Sequence, residues 1–189
     1  MPSNIDARPP WESPVHGVLV VLAGRPGTGK TTVGRLLAGR LRAAYLRTDV
    51  IAGPMLSSGV TDDNARAGRV AYDIARDVAI ENLRLGVPVL VDGVHATRER
   101  RAIWRDVSES TGARLVQLEM ILSDAVEHRL RVERRQTDGY IGPSWEQIIA
   151  MEYDAWSETA DGLRLVVDTA DTDVALAACL DHVKGSAPA

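Results

Sequence analysis

One short segment near the start of the chain has the residue types and spacing to hold a phosphate group. Residues 24–31 match the pattern G-x-x-x-x-G-K-[ST] at every position. Glycines let such a loop curl so that successive backbone N–H groups point inward at phosphate oxygens. We expect Lys30 to reach the β- and γ-phosphates of a nucleotide and Thr31 to ligate Mg²⁺. The residues predicted to bind the nucleotide are Gly24, Arg25, Pro26, Gly27, Thr28, Gly29, Lys30, Thr31 and Thr32.

The surroundings of this loop are those that the motif requires. An apolar run over Val18–Ala23 predicts a strand before it, and apolar residues at helical spacing from Val33 to Leu41 predict a helix after it. A helix that begins at the loop adds its positive N-terminal dipole. The alternative is a glycine-rich turn that serves packing alone. It explains neither the complete match nor the presence there of the chain's one lysine away from the carboxyl end, Lys30.

Two acidic residues follow predicted strands, in the region where parallel sheets bind ligands. Asp49 is predicted to accept the proton of an attacking hydroxyl. Asp92 ends the apolar run 87–91 and is predicted to orient Mg²⁺ or its waters. The structural alternatives are a turn or helix cap for Asp49 and an Asp-Gly turn for Asp92. Because Gly93 rather than a glutamate follows Asp92, the acidic pair of motor ATPases is missing.

Four arginines precede a glycine-containing turn at residues 137–142, which is predicted to form a small lid. They are Arg129, Arg131, Arg134 and Arg135. Lid arginines neutralise charge as a phosphoryl group transfers. Arg131 and Arg135 are favoured for this role because an i, i+4 pair shares one helix face. The alternative is a solvated face on which Glu127 and Glu133 pair with some of the arginines.

A second basic group follows Asp92. It contains Arg98, Arg100, Arg101 and Arg105. We interpret it either as a site for an anionic substrate or as the solvated start of a helix. His95 lies nearby and is a candidate contact to the acceptor, although a loop histidine is more often incidental.

Several other chemistries have no support in the sequence. No cluster of Cys or His has metal-ligand spacing, and neither a G-x-S-x-G elbow nor a dinucleotide fingerprint is present. The Asn-Lys-x-Asp motif that reads guanine in GTPases is also absent, because the only two lysines lie in Gly-Lys-Thr and Val-Lys-Gly. ATP is therefore the expected donor.

The whole chain fits one α/β domain. Its 189 residues suffice for a core, and short apolar runs alternate with helix-period segments as in a parallel sheet. Residues 1–16 are expected to be a flexible leader, residues 17–184 the folded domain and residues 185–189 a flexible tail. A net charge of −4 gives no general attraction to nucleic acid. No apolar run is long enough for a membrane span, so a cytoplasmic protein is expected.

Local signals predict two further features. A Gly-, Pro- and Ser-rich stretch at residues 53–59 is predicted to be a loop. Ser144 followed by Gln147 three residues later predicts a capping box at the start of a helix.

Four patches of the sequence resemble a group of small P-loop kinases that includes AAA_33, polynucleotide-kinase-like, zeta-toxin-like and chloramphenicol-phosphotransferase-like proteins. The patches are residues 24–32, Thr48-Asp49, Val91-Asp92-Gly93 with residues 99–104, and residues 129–135. The resemblance covers roughly residues 17–184. It implies a P-loop NTPase three-layer sandwich, with a five-stranded parallel sheet in the order 2-3-1-4-5 flanked by helices and a small lid.

The same resemblance implies roles for individual residues. Asp49 is the base, arginines between 131 and 135 grip the phosphates, and Asp168-Thr169 matches the segment near adenine. Residues 93–95 depart from the Thr-Asn that polynucleotide kinases often have after the corresponding aspartate. That departure weighs against a nucleic-acid acceptor.

The expected function is therefore transfer of the ATP γ-phosphoryl group to a hydroxyl of a metabolite, sugar, nucleoside or antibiotic. In this expectation Asp49 is the base, Lys30, Arg131 and Arg135 stabilise charge, and Thr31 with Asp92 holds Mg²⁺. Two alternatives stay open. One is a polynucleotide 5′-hydroxyl kinase with a basic channel at residues 98–105. The other is a nucleotide-switched module that hydrolyses ATP slowly and binds a partner protein.

Overall fold

Five parallel strands form the centre of the fold. The computed structural model describes residues 17–137 and 142–185. The strands are β1 (Val18–Ala23), β2 (Ala44–Arg47), β3 (Val89–Asp92), β4 (Arg114–Ile121) and β5 (Leu165–Asp168). They pair in one sheet in the order β2-β3-β1-β4-β5, which confirms the predicted α/β class and strand order.

Helices cover both faces of this sheet. They are α1 (Lys30–Leu41), α2 (Thr48–Ser57), α3 (Asn64–Arg84), α4 (Arg98–Thr111), α5 (Ala125–Thr137), α6 (Trp145–Ala150), α7 (Glu158–Asp161) and α8 (Thr172–Gly185). Because successive strand residues point to opposite sides, β1 supplies two cores. Val20 and Leu22 pack with α1 and α8, whereas Leu19 and Val21 pack with α3 and α4. The result is the predicted three-layer sandwich.

The register of the central strands brings three connections together. Asp92 at the end of β3 lies opposite Leu22 of β1 and opposite Arg47 of β2. The three strands therefore end at the same level. The loop at residues 24–29, the start of α2 and the segment after Asp92 leave the sheet side by side, at the edge where parallel sheets bind ligands.

The prediction of a loop at residues 53–59 is wrong for residues 53–57, which belong to α2, whereas residues 58 and 59 form a turn. α2 continues to Ser57 and contains Pro54, although a proline inside a helix cannot donate the usual backbone hydrogen bond. The helix packs against the core through Ile51. Packing of the helix against the rest of the protein outweighs the local preference of this stretch for a loop.

The predicted capping box is confirmed. The Ser144 hydroxyl accepts from the backbone N–H of Gln147, and the Gln147 side chain accepts from the backbone N–H of Ser144. No helix within residues 17–137 and 142–185 is both long and apolar enough to cross a membrane. The predicted leader, residues 138–141 of the predicted lid and residues 186–189 of the predicted tail lie outside the described residues.

Candidate active site

The loop between β1 and α1 requires glycine for its shape. Gly24 has a φ of +136°, and a Cβ there would collide with the carbonyl oxygen of Met120. Gly29 has a φ of +82° and is the N-cap residue of α1. Both conformations are rare for residues with a side chain. The loop thus brings the positive N-terminal end of α1 to the end of the sheet.

Side chains from distant elements hold the carbonyl groups of this loop. His128 of α5 donates from Nε2 to the carbonyl oxygen of Pro26 at 2.8 Å. The Thr169 hydroxyl, just after β5, donates to the carbonyl oxygen of Thr28. These contacts fix the loop before any nucleotide binds, and they could not be read from the motif itself.

Lys30 occupies the centre of the loop. Its Nζ donates to the carbonyl oxygens of Gly24 and Arg25, at 2.8 Å in each case. Burial lowers the pKa of Lys30 to about 8, while the charges of Asp92 and Asp49 oppose that shift. The ammonium group is therefore held at the place where the motif predicts a phosphate, in a setting that favours an added negative charge.

Arg25 has a different position from the rest of the predicted nucleotide-binding set. Its guanidinium donates to the carbonyl oxygens of Ile148 and Met151 and lies 5.2 Å from the ring centroid of Tyr153. The side chain thus joins the loop to α6 and to the segment that follows it. This leaves only the backbone of Arg25 at the loop.

The carboxylate of Asp92 is buried and accepts hydrogen bonds from two hydroxyl groups. Thr31 and Tyr45 each donate to its Oδ2 at 2.8 Å. Nε of Arg47 lies 3.5 Å from the same oxygen. Neither Tyr45 nor Arg47 is among the site residues predicted from the sequence. Both side chains reach Asp92 because Arg47 is in register with it on β3 and residues i and i+2 of a strand share a sheet face.

Asp49 lies in the first turn of α2 with 64% of its side chain exposed. The N-cap position of α2 is occupied by Arg47, and no side-chain hydrogen bond caps this helix. The helix-cap alternative for Asp49 is therefore wrong. Its Oδ2 lies 3.9 Å from a terminal nitrogen of Arg47, so one guanidinium stands between Asp49 and Asp92.

A cavity of about 510 Å³ joins these groups. The loop lines one side of it, and Asp49, Asp92 and the residues after β3 line another. Arg131, Arg134 and Arg135 reach it from α5. The structure thus brings together the predicted phosphate loop, both predicted acids and the favoured arginines.

The four arginines of α5 divide into two groups. Arg129 pairs with Glu133 at 2.6 Å, is exposed, and does not line the cavity. Arg131 pairs with Glu127 at 2.8 Å and also donates to the carbonyl oxygen of Thr169, which aims it at the cavity. The structure contains the i, i+4 pairs between arginine and glutamate that the sequence suggested. The pair with Glu127 orients Arg131 toward the cavity and does not hold it away from the site.

The interpretation of residues 98–105 as one anion site is wrong for Arg101. This side chain is fully buried and pairs with the fully buried Asp161 at 3.0 Å. It also donates to the carbonyl oxygens of His95, Ala96 and Asp154. Arg101 therefore holds the segment after β3 against the segment before α7.

His95 does not line the cavity. It is fully buried between Tyr72 and Trp104, and Trp104 Nε1 donates to its Nδ1 at 3.0 Å. Burial lowers the pKa of His95 to about 3, with nearby Lys30 and arginines adding to the shift. The hypothesis that His95 contacts the acceptor is not supported by this placement.

Comparisons with known proteins agree with this fold. The AAA_33 family, described as an AAA domain, matches residues 19–152. No curated protein matches the chain.

Solved structures of similar fold include proteins named as kinases. A provisionally named kinase from Chloroflexus aurantiacus J-10-fl is 20% identical over 91% of this chain and 98% of its own, with a TM-score of 0.74. A gluconokinase from Sinorhizobium meliloti 1021 is 19% identical over 90% and 93% of the two chains, with a TM-score of 0.61. The Mycobacterium tuberculosis APS kinase CysC, solved with AMPPNP and APS, is 21% identical over 89% and 98%, with a TM-score of 0.60.

The structural similarity establishes the fold, and the match to the family model assigns the chain to a family. The match begins within β1 and ends after α6, so it includes the phosphate loop, both acids and the arginines of α5. This chain belongs to the AAA_33 family and has a kinase-like P-loop fold.

Proposed function

We propose that this protein is an ATP- and magnesium-dependent kinase that transfers the γ-phosphoryl group to a hydroxyl of a small molecule. The observation that carries the proposal is the shared cavity. Lys30 of the phosphate loop and the exposed carboxylate of Asp49 line the same space, with arginines of α5 beside them. A phosphate donor and a hydroxyl acceptor need such groups close together, because positioning and charge stabilisation supply most of the catalysis in phosphoryl transfer.

The metal site of this proposal consists of Thr31 and Asp92. Both offer oxygen ligands of the kind that Mg²⁺ prefers, directly beside the phosphate loop. Since the proton of the Thr31 hydroxyl is directed at Asp92, the lone pairs of that hydroxyl are left to bind a cation. Mg²⁺ held by these two residues would supply charge neutralisation for the transferring phosphate.

Asp49 is the proposed base. Its exposed carboxylate accepts the proton of the acceptor hydroxyl as the acceptor oxygen bonds to the γ-phosphorus and the bond from that phosphorus to the bridging oxygen breaks. The products are ADP and a phosphate ester. The guanidinium of Arg47 lies 3.9 Å from this carboxylate and pairs with it.

Lys30, Arg131 and Arg135 are the proposed charge-stabilising groups. Lys30 exchanges its contacts with the loop carbonyls for contacts with phosphate oxygens. Arg131 is already oriented by Glu127 and by the carbonyl oxygen of Thr169, so little side-chain entropy is lost when it binds an anion. Arg135 lines the same cavity one helical turn further on.

The related folds support a small acceptor. Two of the similar structures are named as a gluconokinase and an APS kinase, and both names refer to small molecules. A polynucleotide acceptor has less support, because Arg101 of the predicted basic channel lies in the core and pairs with Asp161.

The test is a search for the phosphorylated product. ATP consumption with Mg²⁺ is measured across hydroxylated metabolites, sugars, nucleosides, aminoglycoside-like antibiotics and 5′-hydroxyl oligonucleotides. Lys30→Ala is the control for contaminating kinases. The proposal predicts acceleration by one acceptor class, a phosphorylated product by mass spectrometry, and loss of both with Lys30→Ala. ATP binding without transfer to any acceptor would instead favour the nucleotide-switched module.

A further inference from the structure

The hydroxyl of Tyr45 forms a hydrogen bond that none of the sequence motifs predicts. It donates to Oδ2 of Asp92 at 2.8 Å, and the Thr31 hydroxyl donates to the same atom at the same distance. Among the described residues, no hydrogen bond reaches Oδ1 of Asp92. Within the described part of the chain, Oδ2 of this carboxylate therefore accepts two hydrogen bonds and Oδ1 accepts none.

Packing leaves the Tyr45 side chain little freedom. Its ring packs against the core beneath α1, where Gly34 provides the room. A Cβ added at Gly34 would lie 3.0 Å from the Tyr45 hydroxyl oxygen and 2.7 Å from a methyl carbon of Leu22. Because a carboxylate oxygen can only accept, the Tyr45 hydroxyl is the donor of this hydrogen bond. The tyrosine is thus a fixed donor beneath the carboxylate.

We propose that Tyr45 is a positioning residue for the divalent cation. By holding Oδ2 of Asp92 together with Thr31, it fixes the carboxylate in the orientation that leaves Oδ1 for the cation or its waters. The inference rests on the metal role given to Asp92 above. Partners behind a metal ligand commonly control its orientation, and their loss typically weakens metal binding tenfold or more.

The test uses Tyr45→Phe, which removes only the hydroxyl. Mn²⁺ serves as a paramagnetic substitute for Mg²⁺, and its binding to the complex with a non-hydrolysable ATP analogue is followed by electron paramagnetic resonance. Tyr153→Phe is the matched control, because the Tyr153 hydroxyl also donates to a carboxylate, that of Glu119, at 3.1 Å. Analogue binding in EDTA and the thermal unfolding temperature are measured for all three proteins.

The proposal predicts that Tyr45→Phe raises the Mn²⁺ dissociation constant about tenfold while the metal-free affinity for the analogue is unchanged. Tyr153→Phe is expected to leave both values unchanged. Equal Mn²⁺ affinity in Tyr45→Phe and the original protein would overturn the positioning role. No acceptor takes part in this assay, so its outcome is independent of whether any hydroxyl compound is phosphorylated.

Discussion

The Thr31 hydroxyl donates a 2.8 Å hydrogen bond to Oδ2 of Asp92, across a sequence separation of 61 residues. Thr31 belongs to the first turn of α1, and Asp92 is the last residue of β3. The bond exists because β1 and β3 are adjacent and end at the same level, with Leu22 opposite Asp92. It joins the phosphate loop to the acidic side of the cavity, so the two residues proposed to hold Mg²⁺ are in direct contact.

Lys30 should take up a proton when ATP binds near pH 8. Burial holds its pKa at about 8 in the free protein, and phosphate oxygens beside Nζ would raise that pKa. Uptake of about half a proton is expected at pH 8, and ATP affinity should fall as the pH rises above that value. Calorimetric titrations in two buffers of different ionisation enthalpy measure the uptake. An uptake of zero, or the same uptake in Lys30→Met, would contradict this assignment.

The buried pair of Arg101 and Asp161 should be strongly coupled. Both side chains are 0% exposed, so removal of one partner leaves an unpaired buried charge. We expect Arg101→Met and Asp161→Ala each to lower the free energy of unfolding by about 3–5 kcal/mol. The double variant should lose less than the sum of the two, as measured by urea unfolding at pH 7.

The exposed pair of Arg84 and Glu81 provides the comparison, since its 3.1 Å contact lies in solvent. Glu81→Ala should cost less than about 1 kcal/mol. Additive losses at Arg101 and Asp161 would show that the two charges do not depend on each other.

His95 should make the protein less stable in mild acid. Its pKa is about 3 in the folded protein, compared with 6.5 for an ordinary histidine, so the unfolded chain binds more protons between these limits. Stability then falls as the pH drops below 6.5, by about 2 kcal/mol between pH 7 and pH 5. Urea unfolding across this range measures the loss.

His95→Asn is the appropriate comparison for that titration. Asparagine tolerates the left-handed backbone of this position, where φ is +48°, and its side-chain oxygen can accept from Trp104. The free energy of unfolding of this variant should fall much less between pH 7 and pH 5. If the free energy of unfolding of His95→Asn declines as much as that of the original protein, other titratable groups cause the decline.

The sequence predicted those parts of the fold that depend on local pattern. The strand Val18–Ala23 and the capping box of Ser144 and Gln147 both occur as expected, because their signals lie within a few residues. The strand order came from resemblance, and it is confirmed.

Other features depend on contacts between distant parts of the chain. α2 extends through Pro54, and packing of its partly buried Ile51 against the core outweighs the loop preference of that stretch. Arg101 had the same appearance in the sequence as its solvated neighbours, and only the fold brings it to Asp161, 60 residues away. Tyr45 required the pairing of β2 with β3, which no local signal specifies.

The most direct test of the account is the turnover of Asp49→Asn with the acceptor identified from the panel. Asp181→Asn, an exposed carboxylate on α8, is the matched control. We predict that Asp49→Asn lowers kcat by about 10²–10⁴-fold with little change in KM for ATP, because only proton transfer from the acceptor is lost. Asp181→Asn should retain full activity. Turnover of Asp49→Asn close to that of the unmodified protein would contradict the assignment of Asp49 as the base.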